Sequence, residues 1–334
     1  MNACANPISR SGPDFAVPLL PAPVRLRRLL VPLDFSASSL RAFHYAFALA
    51  ECFDSELSLL HVVPPPVLPE WGYAHLARRD ERLKLAAHQR LAEFVRARRP
   101  ATARAKHLLV RAGEPHFQIP EAAQEQNADL VVIATHGESL VPHCLLGNTA
   151  EEVVRRAPCP VWVVPGVSGE STDGPNLLPM RRILVATDFS AESRTALDYG
   201  VALAREFDAT LHLVHVVPTV LPADVSHLTT VLQETALKES ARRDLARLCA
   251  EQLPRELHVV TKVLDGNPFL EISQEALRVC AGLIIISTHG HTGLRYLLLG
   301  CTAQRIVQHA SVPVLVVREH EPKFIPPGEP GKES

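Results

Sequence analysis

The chain has 334 residues, 47% of them apolar and 21% charged, with a formal net charge of −2. That balance belongs to a globular protein with sizeable cores, long enough for about two domains. It leaves no basic excess for a nucleic-acid footprint, and no apolar run approaches the roughly 20 residues of a membrane helix. Seven scattered cysteines without a C-x-x-C pair read as reduced thiols of a cytoplasmic protein, not as a disulfide framework.

Residues 1–24 are proline-rich and aperiodic, and no basic stretch precedes their apolar part, so a flexible tail is expected and a signal peptide is not. From Arg28 the pattern becomes regular. The spacing predicts a strand over Leu29–Leu33, a helix over Ser38–Cys52, a strand over Leu57–Val63 and a long charged helix over Ala74–Arg98. A strand at Ala105–Arg111, a helix at Pro115–Gln126 and a strand at Leu130–Ala134 follow. A glycine-bearing loop, a helix near Thr149–Arg156 and a strand at Val161–Val164 close the unit. Residues 167–180 read as a linker by composition, and the proline-bearing segment 320–334 as a second flexible tail.

The unit then repeats. Arg28 to Pro64 and Arg182 to Pro218 share about 21 identities in 37 positions at an offset of 154, which becomes 153 further on. Strands are expected near 183–186, 211–217, 258–264, 283–287 and 314–317. Strand–helix alternation of this kind implies parallel sheets with helices on both faces and right-handed crossovers. Ligands of such sheets bind beyond the carboxyl ends of the strands, where the strand order switches. Each copy places chemistry there: an aspartate after its first strand (Asp34, Asp188) and glycines after its fourth. The glycine segments are Ala134-Thr-His-Gly137 with Gly147-Asn148-Thr149, and Ser287-Thr-His-Gly290-His-Thr-Gly293 with Gly300-Cys301-Thr302. Glycine admits close backbone approach to an anion, and a helix start offers free N–H groups.

These residues resemble the universal stress protein family in its tandem form. The resemblance covers residues 25–166 and 181–319, leaving the tails and linker. It rests on Val-Pro-Leu-Asp34-Phe-Ser and Val-Ala-Thr-Asp188-Phe-Ser, on Leu-Leu-His61-Val-Val and Leu-Val-His215-Val-Val, on the glycine loops, and on Pro160-Val-Trp-Val-Val and Pro313-Val-Leu-Val-Val. It implies two tandem Rossmann-like domains of the adenine nucleotide alpha-hydrolase-like type, each a five-stranded parallel sheet flanked by helices. It further implies ATP or AMP binding, with Mg2+ as an accompanying ion, in a stress-response role without fast turnover. The site residues carried over are Pro32, Asp34, Val62, Gly137, Gly147, Asn148 and Thr149 in the first copy. In the second they are Asp188, Val216, Ser287, Gly290, Gly293, Gly300, Cys301 and Thr302. The family's nucleotide-binding pattern G-x2-G-x9-G-[S/T/N] is departed from at Ala134, Ser287 and Cys301, and its proline before the aspartate is Ala186 in the second copy.

Other readings stand beside this one. A nucleotide-free dimerisation module and a slow ATP hydrolase both suit the same family. The glycines have a bland reading as tight turns, and Asp34 and Asp188 as helix caps beside Ser36 and Ser190. Cys301 reads more readily as a small buried residue than as a redox thiol. His61 and His215 read as core histidines with one hydrogen bond each, and the basic runs 78–84 and 96–99 as a solvated helix face. The pair His289 and His291 lacks a further ligand at metal spacing, so no metal is expected. Neither copy has a P-loop, a receiver-type carboxylate cluster, Rossmann dehydrogenase glycines after the first strand, or a G-x-S-x-G elbow. The resemblance implies an adenine nucleotide and the protein itself as partners. The apolar last strands of the two copies should pair as an internal pseudo-dimer, with a homodimer of whole chains as a further step. Charge favours the second copy as the tighter site: Glu138, Leu140 and Pro142 stand where it has His291, Gly293 and Arg295.

Overall fold

The computed structural model describes residues 24–65, 76–98, 104–135, 148–166, 180–218, 227–288, 300–318 and 324–325. The first half runs Arg28–Pro32 (β1), Ala37–Phe53 (α1), Glu56–Val63 (β2), Leu76–Ala97 (α2), Ala105–Ala112 (β3), Pro115–Glu125 (α3), Leu130–Ala134 (β4), Asn148–Arg156 (α4) and Val161–Val164 (β5). The second half repeats it as Arg182–Ala186 (β6), Ala191–Glu206 (α5), Thr210–Val217 (β7), His227–Gln252 (α6), Val259–Asp265 (β8), Pro268–Arg278 (α7), Leu283–Ser287 (β9), Cys301–His309 (α8) and Val314–Val317 (β10). Each half is a parallel sheet, in the orders 3-2-1-4-5 and 8-7-6-9-10.

Strand alternation builds a core on each face. Leu29 and Val31 face one layer with α1 and α2, while Leu30 faces the other with α3 and α4. Ile183 and Val185 against Leu184 repeat this in the second half, and each of the two layers continues from one half into the other. Continuity comes from the joint. β5 and β10 pair antiparallel, with Trp162 opposite Leu315, and fuse the halves into one ten-stranded sheet. Both strands are fully buried, so neither is left as an open apolar edge. Counterpart residues meet across this joint: Phe53 packs edge-on against Phe207 with ring centroids 5.8 Å apart, and Gln304 Nε2 donates to Glu151 Oε1 at 2.9 Å.

Three residues of the segments expected as linker and tail are buried. In the segment expected to be flexible, Phe324 and Ile325 are buried. The Phe324 carbonyl accepts from Arg25 N at 2.7 Å, and its ring packs edge-on against Tyr199 at 4.6 Å. Burying each of these two apolar side chains is worth about 1.5–3 kcal/mol. Met180, at the end of the linker by composition, is likewise buried and sits against Gly282.

Candidate functional site

The strand order switches between β1 and β4 and again between β6 and β9, and the register places the carboxyl ends of each pair level. Leu30 lies beside Val131, so Asp34 and Thr135 leave the sheet together four residues on. Leu184 beside Ile284 does the same for Asp188 and Thr288. Pro32 pairs with Leu60 and Ala186 with Val214, which sets Val62 and Val216 beside the aspartates.

The Asp-Phe-Ser turn has the same construction in both halves. Phe35 and Phe189 adopt left-handed backbone at φ 67 and 66, a conformation that bulky residues rarely take. Asp34 Oδ1 accepts from Ser36 N at 3.0 Å and from Ser36 Oγ at 2.6 Å; Asp188 Oδ1 accepts from Ser190 at 3.0 and 2.5 Å. Each serine Oγ in turn accepts from the amide three residues on, Ser39 N or Ser193 N, at 3.1 Å, and so caps α1 or α5. The aspartates thus hold the capping serines, which fixes the carboxylates' orientation at the strand ends. Behind each turn lies the strand histidine. His61 Nδ1 donates to the Leu33 carbonyl at 2.6 Å and His215 Nδ1 to that of Thr187 at 2.8 Å, while their rings pack on Phe35 and Phe189. The carbonyl partner requires the proton on Nδ1.

At the fourth strand the second half shows a close backbone approach. Gly300 N donates to the Thr288 carbonyl at 2.8 Å, and a β-carbon at Gly300 would lie 3.0 Å from that oxygen. A larger residue would crowd that oxygen, so glycine suits the close approach of α8 to the end of β9. Gly300 is the N-cap of α8, with no side-chain cap bond, and no acidic residue stands in the first turn. Among the described residues, no side chain caps the amides of Cys301 and Thr302 and no acidic residue in the first turn opposes the partial positive charge of the helix start. In the first half α4 carries Glu151 in its first turn, held by Arg155 at 3.1 Å and by Gln304.

Of the residues read from sequence, Pro32, Asp34, Val62 and Thr149, and Asp188, Val216, Ser287, Gly300, Cys301 and Thr302, fall at these strand and helix ends. Gly137, Gly147, Gly290 and Gly293 lie outside the described residues, as do His289 and His291; Asn148 is the first residue of α4. Cys301 is exposed, not a small buried residue as expected, because it occupies the first helical position next to the loop end and is not turned into the sheet. Sequence reasoning passed over the buried Thr135 and Thr288. Thr135 Oγ1 accepts from Gly166 N at 2.8 Å, and the Thr288 amide donates to Val317 O at 3.1 Å. The repeated Thr-His-Gly was the available signal.

The sequence profile of the universal stress protein family matches residues 25–165 and again 179–318. The chain belongs to this family. Among its relatives, a universal stress protein of Methanocaldococcus jannaschii is 37% identical over 153 residues, covering 44% of this chain and 86% of the relative. One of Mycobacterium tuberculosis is 27% identical over 311 residues, 89% of this chain and 99% of the relative, so the tandem arrangement recurs end to end. A solved universal stress protein of Archaeoglobus fulgidus superposes with a TM-score of 0.60 at 21% identity, over 89% of this chain and 97% of that one, and shares the fold. Among the described residues, no helix of this universal stress protein is long and apolar enough to cross a membrane.

Proposed function

We propose that this universal stress protein is an adenine-nucleotide-binding regulatory module whose second half holds the tighter site. The observation that carries the reading is the contact of Gly300 with Thr288, which seats the start of α8, without a side-chain cap among the described residues, at the strand-order switch. There the amides of Cys301 and Thr302 and the Thr302 hydroxyl suit phosphate oxygens. Asp188, oriented by Ser190, suits the hydrogen-bonding edge of an adenine, with Val216 against its face. In the first half Pro32, Asp34, Val62 and Thr149 fill the same places, but Glu151 in the first turn of α4 opposes an anion. ATP and AMP both satisfy this chemistry, with Mg2+ accompanying the triphosphate. Binding suffices for a regulatory role, and rapid hydrolysis is not part of the reading.

Calorimetry of the full chain with ATP and with AMP tests it. The unmodified protein should bind, Gly300→Val should weaken binding at least about tenfold, the scale of one lost charged hydrogen bond, and Gly147→Val should do less. No binding by the unmodified chain, together with no nucleotide in mass spectra of the purified protein, favours a nucleotide-free dimerisation module instead. Product analysis over hours separates binding from slow hydrolysis.

A further inference from the structure

A cleft of about 350 Å³ opens on the α1–α2 face of the first half. Leu33, Leu40 and Phe94 give it an apolar lining, and Arg90 and Arg98 bring two guanidiniums to it. Each guanidinium lies over an aromatic ring: Arg90 over Phe35 at 4.2 Å and Arg98 over Phe94 at 4.1 Å. Stacking fixes the plane of a guanidinium while leaving its in-plane N–H donors for a carboxylate. Among the described residues neither arginine has a carboxylate at ion-pair distance, although Glu93 also lines the cleft.

The second half serves as an internal control. Its α6 keeps the buried contacts of α2, with Ala241, Leu245 and Leu248 where the first half has Ala87, Leu91 and Phe94. Phe189 and Ser193 likewise keep the places of Phe35 and Ser39. At the counterparts of Arg90 and Arg98, however, stand Asp244 and Gln252. The counterpart of Glu93 is Arg247, which pairs with Asp244 at 2.8 Å, so that surface neutralises itself. The fold forms without the two arginines, and their stacked, unpaired arrangement in the first half is not a packing requirement.

We propose that the cleft binds a small organic carboxylate with an apolar body. The two guanidiniums set against Glu93 select a single negative charge, and the leucines and Phe94 take the apolar part. The cleft borders the Asp34 turn through Leu33 and Phe35, but it lies in the α1–α2 layer, whereas α4 and α8, the helices that start after the glycine loops, lie in the opposite layer.

The test uses benzoate, with benzyl alcohol as its neutral counterpart, measured by saturation-transfer NMR and calorimetry on the full chain. Benzoate should bind at least about tenfold more tightly than the alcohol. The double variant Arg90→Gln with Arg98→Gln removes both guanidiniums without setting a second carboxylate beside Glu93, and Gln already stands at the second half's counterpart of Arg98. It should weaken benzoate at least about tenfold with an unchanged circular dichroism spectrum, while Gly300→Val leaves benzoate binding intact. Absence of benzoate binding, equal binding of the alcohol, or undiminished binding by the double variant would each overturn the proposal, whatever the outcome with ATP.

Discussion

Glu275 on α7 is 4% exposed and receives Lys262 Nζ at 2.8 Å and Arg278 Nε at 2.7 Å, with a second contact from the Arg278 guanidinium to Oε1. The Arg278 hydrogen bonds, outweighing the cost of burial and helped by Lys262, lower its carboxyl to about 2, against an ordinary 4.5. Its counterpart in the first half is the buried Ala122, so the α/β architecture does not depend on the cluster. A depressed carboxyl stabilises the fold above its unfolded value and loses that contribution as pH falls toward its folded one. The window is therefore pH 4.5 down to about 2. At about 1.4 kcal/mol per pH unit the whole difference amounts to roughly 3 kcal/mol. Arg278 is 61% exposed and Lys262 37%, and solvent screening reduces the expected share to about 1–2 kcal/mol. Glu275→Gln should accordingly unfold at lower urea than the parent at pH 7, and the gap should close by more than half at pH 3. Urea titrations followed by circular dichroism at pH 7, 5, 4 and 3 measure this. A gap that is absent at pH 7, or constant down to pH 3, would refute the linkage.

Three further outcomes are expected. Trp162→Ala, emptying a fully buried position in the joint strand, should cost about 3–5 kcal/mol, read as a fall in thermal midpoint. Ser190→Ala removes both the cap of α5 and the partner of Asp188; it should cost about 1 kcal/mol, and an unchanged denaturation midpoint would contradict the capping role. Phe324→Ala should cost about 3 kcal/mol and raise amide hydrogen exchange at Arg25, whose N–H it anchors; exchange at Arg25 indistinguishable from the parent would count against the anchor.

The central strands were legible because they are short apolar runs between polar helices, and the repeat doubled the signal for the more polar outer strands Ala105–Ala112 and Val259–Asp265. The joint of β5 to β10 was also readable, since Val161–Val164 and Val314–Val317 have no polar face to expose. Phe324 and Ile325 were not, because two apolar residues among prolines carry no periodicity and their burial depends on Tyr199, far away in sequence. The aspartates sit where the pattern put them, but their bonds to Ser36 and Ser190 show capping chemistry that the bland reading had named. Cys301 was misjudged because sequence gives a helix start without giving the direction its first side chain takes. Arg98 fell in a basic run that read as a solvated face, and Arg90 and Phe94 carried no signal of their own; only the folded α2 shows the guanidiniums laid on Phe35 and Phe94.

The joint between the halves has an inheritance of its own. Trp162 faces Leu315, and Glu151 meets Gln304. These are counterpart positions, which in an assembly of two identical halves face copies of themselves. A Trp–Trp pair overfills such a joint, a Leu–Leu pair underfills it, and two glutamates repel. Once covalently linked, the two copies were free to become lock and key at these positions. The partner is delivered at millimolar effective concentration by its own tether, so pairing no longer depends on expression level. At this joint each half meets a partner that differs from itself at the position where the two strands cross.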